Sequence, residues 1–145
     1  MNDHKILDHN RVILCHFDSY STALLFARYG TSVLAPSPLP EAASVMPEPG
    51  DTGEEYAPGT VLNALTAQYR LDPAQLTLVE NFQEWMSSVA GPIRIHLARF
   101  TSFDAPREAL EAHGGVFKPI SEMRGTPMIE LNLLRQAFSL IMGGA

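Results

Sequence analysis

The chain has 145 residues, of which 46% are hydrophobic and 18% charged, so it is long enough for one domain with a real apolar core and too apolar for wholesale disorder. A formal net charge of -6 works against non-specific nucleic-acid binding, which depends on Lys and Arg displacing counterions from phosphates. The single cysteine, Cys15, excludes an intrachain disulfide and a cysteine-rich zinc site, and is expected to be a buried small apolar residue in a reducing compartment.

The opening segment MNDHKILDHN mixes both charge signs and lacks the basic and apolar regions of a secretory signal, and no apolar run reaches the roughly 18 residues of a membrane helix. A cytoplasmic protein with no membrane association is the expectation. The first elements are short apolar runs at residues 11 to 15 (RVILC), 22 to 27 (TALLFA) and 31 to 35 (TSVLA), and β-branched content with Gly30 between them favours strands.

From Pro36 to Pro58, both included, the chain carries six prolines, Gly50 and Gly53, and the acids Glu41, Glu48, Asp51, Glu54 and Glu55. Proline removes a backbone donor and disfavours helix at the residue before it, so the segment reads as a long acidic loop without regular structure. Its acids could gather around a cation, although a solvated loop is the commoner fate of such a run.

A helix follows, with Val61, Leu62, Leu65 and Tyr69 on one side, Thr60 as its N-cap and its end before Asp72-Pro73. Residues 76 to 86 (LTLVENFQEWM) read as one strand with Leu76, Leu78 and Phe82 inward, and Gly91-Pro92 turns the chain. Residues 93 to 100 (IRIHLARF) alternate, with Ile93, Ile95 and Leu97 on one face and Arg94, His96 and Ala98 on the other. The segment DAPREALEAHG suits a short helix capped by Asp104 and stopped at Gly114, and 115 to 120 another strand. After Pro127, a stripe of Ile129, Leu131, Leu134, Phe138 and Ile141 predicts a last helix ending at Gly143-Gly144. The sum is a single α/β domain over residues 1 to 145, a mixed sheet with two packing helices.

The stretch PGDTGEEYAPGTVLNALTAQYRL, residues 49 to 71, resembles the signature of Nudix hydrolases, G-x5-E-x7-R-E-U-x-E-E-x-G-U with U a bulky aliphatic residue. With Leu71 as the final U, Leu65 takes the earlier U and Glu55 the first glutamate. The opening glycine falls on Pro49, beside Gly50, and Gly53-Glu54 offers the Gly-Glu pair with one residue inserted. The helix acids depart from the family: R-E falls on Asn63-Ala64, E-E on Ala67-Gln68, and the late glycine on Arg70. In the family those glutamates converge from successive helical turns on Mg2+, which demands hard oxygen ligands. Here they are gone.

The order of elements also looks like the family and implies a Nudix-like α/β/α sandwich, a mixed β-sheet packed between helices. What the resemblance implies for function is a scaffold with a degenerate box, lacking or nearly lacking Mg2+-dependent pyrophosphohydrolase activity, that retains a role in binding a nucleotide-like small molecule or a protein partner. No cofactor is expected under that reading. Two alternatives stand beside it. One is a divergent Mg2+-using hydrolase of a nucleoside diphosphate derivative with relocated acids, catalytic Glu54 and Glu55 first and Glu80, Glu84 and Glu122 behind them. The other is a structural homodimer module whose contacts involve Phe103, Trp85 or Ile141-Met142. Arg94 and His96, sharing a strand face, and Glu122, in the turn before the last helix, are the candidate ligand-binding residues; Tyr56, Phe82 and Trp85 could stack on a base, though core packing is commoner for aromatics.

Overall fold

The computed structural model describes residues 3–50 and 52–143; Asp51, one of the loop acids, and Gly144, half of the terminal stop, lie outside them. The chain runs through α1 (Asp3–Asp8), β1 (Asn10–Asp18), β2 (Ala23–Tyr29), β3 (Ser44–Met46), α2 (Pro58–Tyr69), β4 (Leu76–Leu78), β5 (Glu84–Ser87), β6 (Ile93–Phe100), α3 (Arg107–Glu111), β7 (Gly115–Pro119) and α4 (Met128–Met142). The strands form one seven-stranded mixed sheet in the order β3-β5-β6-β1-β2-β7, with β4 on β6 beyond the end of β5. The central pair, β1 and β6, is parallel, and every other pairing is antiparallel.

The near-continuous apolar run of β1 reflects that position, since a central strand beside a parallel neighbour is covered on both faces. Val12 and Leu14 face a core shared with α1, α2 and α3, while Ile13 and Cys15 face a second core built with α4. The sheet therefore lies between helices on both sides, an α/β/α arrangement as expected. No helix of the described residues is long and apolar enough to cross a membrane.

Several local expectations need correction. The reading of 76 to 86 as one strand fails at Val79, where the chain turns so that β4 and β5 pair with different halves of β6; Phe82 is buried from within that turn. Residues 31 to 35 make only two isolated bridges, Tyr29 to Ser32 and Val12 to Ala35, after a reversal at Gly30 with φ +65°. The proline-rich segment holds β3 and a 3-10 turn, Glu54–Tyr56, because the three residues between Ala43 and Pro47 are free of proline and pair with β5.

Four helices pack on the sheet among the described residues: the two expected to pack, the expected short one, and one more. The unanticipated one, α1, is only six residues long, and its last carbonyls are satisfied by side chains of β1: Asn10 Nδ2 donates to Ile6 (2.8 Å) and Arg11 Nη1 to Leu7 (2.9 Å). Thr60 is not the cap of α2, which starts earlier at Pro58, with Ala57 at the N-cap and proline in the first turn where no backbone donor is missed. Asp104 does not cap α3 either, since that helix begins after Pro106.

The inward stripe of α4 is turned relative to expectation. Glu130, Leu133, Leu134 and Ala137 are buried, whereas Phe138 is 38% exposed. Trp85 is 2% exposed on β5, the core packing expected as the commoner fate of an aromatic and not the exposed contact that the homodimer alternative offered.

Candidate functional site

The segment leading into α2 is fastened to the amino-terminal ends of the parallel pair. In register Asn10 opens β1 opposite Arg94 of β6, and both side chains project to the α2 side. Asn10 Nδ2 donates to the carbonyls of Ile6 and Glu55, at 2.8 and 2.9 Å, which uses both amide hydrogens and turns Oδ1 toward His96. His96 Nε2 lies 2.8 Å from that oxygen, so Nε2 carries the proton and the imidazole is a neutral donor. Burial, with the nearby Arg94 charge adding to it, pushes the His96 pKa down to about 3.

Arg94 completes the fastening. Its Nη1 donates to the Tyr56 carbonyl at 3.1 Å, and its guanidinium carbon sits 5.5 Å from the centroid of the Trp85 ring. Tyr56 packs on the other side of the cluster, 4.9 Å between its ring centroid and that of Trp85, and its hydroxyl donates to the Pro92 carbonyl at 3.1 Å. Arg94 Nε and Trp85 Nε1 are buried without a partner among the described residues. Burial lowers the Arg94 pKa, against the opposing pull of Glu48.

Glu55 is held by this network through its carbonyl and Glu54 through the local turn, its carbonyl accepting from Ala57 N at 3.0 Å, while both residues remain exposed. Glu54 Oε1 accepts from the Thr60 hydroxyl at 3.2 Å, tying the 3-10 turn to the first turn of α2, and the Glu55 carboxylate folds back over Gly53. On α2, Ala64 is 2% exposed against the core, Asn63 and Ala67 face solvent, and Gln68 is half-buried with its Oε1 unpartnered. Arg70, where the signature has its late glycine, adopts the left-handed conformation at φ 56°, ψ 44°, and both its backbone N-H and that of Leu71 return to the Thr66 carbonyl.

No protein-family model matches this chain, and no curated protein matches it.

Glu122 is not part of the same site. Pro119 of β7 pairs with Leu25, which pairs with His16 near the carboxyl end of β1, so the turn containing Glu122 lies across the sheet from Arg94 and toward its opposite end. There Glu122 meets Lys118 at 3.7 Å, in a solvent-accessible pair, and itself borders a groove of about 620 Å3 together with Arg124 and Arg135. Glu84 and the turn before it border a second groove beside α4, of about 510 Å3, with Phe82 and Leu140 in its walls. Among the described residues, no three His, Cys, Asp or Glu side chains are gathered closely enough to hold a metal ion. Cys15 is fully buried, and burial raises its thiol pKa to about 12, so it carries no thiolate character near neutrality.

Sequence reasoning passed over Asn10 and Glu130. Asn10 precedes an apolar strand and carries no local signal. Glu130 does carry one, an acid inside an apolar helical run: its carboxylate is buried beneath α4, accepting from Val33 N at 2.8 Å and from the Ser32 hydroxyl at 3.1 Å, and burial raises its pKa.

Proposed function

We propose that this chain is a cytoplasmic Nudix-like scaffold that lacks, or nearly lacks, Mg2+-dependent pyrophosphohydrolase activity and serves to bind a nucleotide-like small molecule or a protein partner. The observation that carries the reading is the helix α2, which stands in register with the signature and offers no carboxylate at any of its acidic positions. Ala64 is packed into the core, Asn63 and Ala67 are short and uncharged at the surface, and Gln68 presents a neutral amide. A metal-assisted attack on a pyrophosphate needs anionic oxygens to hold the cation and lower the pKa of its water, and this face supplies none.

Two further observations support it. The left-handed turn at Arg70 reproduces the backbone conformation that a glycine at that signature position would adopt without strain. The loop before α2 is anchored by Asn10 and Arg94 through the main-chain carbonyls of Glu55 and Tyr56, which leaves the Glu54 and Glu55 side chains at the surface.

The test is turnover of a panel of nucleoside diphosphate derivatives, ADP-ribose among them, with Mg2+ or Mn2+ and with EDTA. The expected result is no release above the metal-free control. Metal-dependent release that disappears in the Glu54→Gln, Glu55→Gln double variant would overturn the proposal and establish a hydrolase using acids outside the helix.

A further inference from the structure

The opposite end of the central parallel pair carries a different kind of site. Where β1 and β6 run out, on the α4 side of the sheet, there is a cleft of about 360 Å3 between Phe17, Ser19, Thr77, Arg99, Thr101 and Phe103. The carboxyl ends of parallel strands are where α/β sheets usually present ligand sites, because the chain diverges there and leaves a crevice above the last residues. The volume falls at the small end of the range for small-molecule pockets, about 300 to 1,000 Å3.

Its charge is unbalanced. Arg99 is the only charged residue in the wall, it is exposed, and no described residue accepts a hydrogen bond from its guanidinium or pairs with it. The carboxylate of the nearby Asp18 is turned into its own loop, accepting from the Ser21 hydroxyl at 2.6 Å and the Tyr20 amide. In a chain of net charge -6, an unpaired guanidinium in a crevice without acids is a local reversal of sign.

The cleft is also preformed. Arg99 and Thr77 are opposed in the β4–β6 register, so both stand on sheet backbone. The loop above them is pinned twice: Thr101 N donates to the Gln75 carbonyl at 2.8 Å, and the Ser102 carbonyl accepts from His16 Nε2 at 2.8 Å, which makes that nitrogen the protonated one. At the mouth, Tyr20 and Phe103 meet edge to face with centroids 5.3 Å apart while remaining 74% and 63% exposed. Two large aromatic rings left in water beside a cation and a crevice are apolar surface that a ligand would cover.

We propose that this cleft binds a small organic anion bearing a planar ring, with its carboxylate or phosphate on Arg99 and its ring against Phe17 and Phe103. The guanidinium fork matches either anionic head in a bidentate geometry, and the Thr77 and Ser19 hydroxyls lie in the same wall to supply further hydrogen bonds. The site shares no residue with 54 to 71, so it stands or falls independently of the proposed loss of hydrolase activity.

The experiment is an amide-resolved NMR titration of the full chain with phenyl phosphate, benzoate and AMP, using inorganic phosphate as a head without a ring and benzyl alcohol as a ring without a charge. Binding at the cleft requires saturable shifts at residues 17–20, 77 and 99–103 for at least one ring-bearing anion, stronger than for either control. Arg99→Met, an exposed substitution whose unchanged thermal midpoint would verify folding, is expected to weaken that anion about tenfold, the loss of a charge-assisted pair. Phe103→Ser should weaken the same anion and leave inorganic phosphate as it was. Shifts that map elsewhere, affinity indifferent to Arg99→Met, or no response to any of the three anions would each overturn the proposal.

Discussion

A neutral imidazole buried between Asn10 and the α2 layer is undisturbed at pH 7 and becomes a liability in acid. His96 is 3% exposed, and its folded pKa of about 3 lies below the 6.5 of an unfolded histidine. Between those values the unfolded chain binds a proton that the native chain refuses, so this contribution to stability is complete above pH 6.5 and is lost as the pH falls toward 3. Glu130 acts with the opposite sign: its folded pKa is raised above the ordinary 4.5, so its native form is relatively favoured as the pH falls toward that value. Urea unfolding from pH 7.5 to 4 should therefore show wild-type stability declining below pH 6.5, by at most about tenfold in the folding constant per pH unit from one histidine. His96→Gln keeps a donor for Asn10 Oδ1 without a titrating ring, and should abolish that decline even if it lowers stability at pH 7. An equal acid slope in the variant would mean that other groups carry it.

At the scale of elements, the two alanines of α2 at acidic positions of the signature are not equivalent. Ala64 faces the core at 2% exposure and Ala67 faces solvent. Ala64→Glu would force a carboxylate among Val61, Leu65 and the sheet, with an expected cost of about 3 kcal/mol or more from burial and overpacking, whereas Ala67→Glu should stay within about 0.5 kcal/mol. Urea midpoints of the two variants measure the difference. Comparable small effects would show that the helix has room for a carboxylate at position 64, against the tight packing of Ala64 on the core. The same contrast explains what could be read from sequence. The β6 strand was legible from its alternation, and α4 from its length and flanking Pro127 and Gly143. The rotation of α4 was not, because Met128, Ile129, Leu131, Leu133, Leu134, Leu140 and Ile141 make the helix apolar on several sides, and its true inward side includes Glu130, whose partners Ser32 and Val33 lie 98 and 97 residues away. Arg94 and His96 could be placed on one face, but their occupation by Asn10, Tyr56 and Trp85 depends on long-range pairing that no local pattern encodes.

At the scale of the whole molecule, the sheet has a core on each side, and β1 and β6 contribute side chains to both. Removing either helical layer would strip one face of that central pair, so the two cores should be lost together. Trp85, the single tryptophan, tests this from near the sheet edge, because β5 separates only the short β3 from the central strands. Its fluorescence should change on unfolding as the ring leaves Tyr56 and Arg94, and far-UV circular dichroism follows the backbone of the whole fold. In urea the two signals are expected to give coincident transitions, the behaviour of one cooperative unit. An earlier fluorescence transition would instead identify β3, β5 and the segment that Arg94 fastens as a separately opening region. The distinction bears on ligand binding at Arg99: in a single unit, an anion bound at the carboxyl ends of β1 and β6 stabilises the fastened loop at their amino ends by mass action, and both transitions move together to higher urea. If the edge opens independently, the same ligand would shift the circular dichroism transition and leave the tryptophan signal in place.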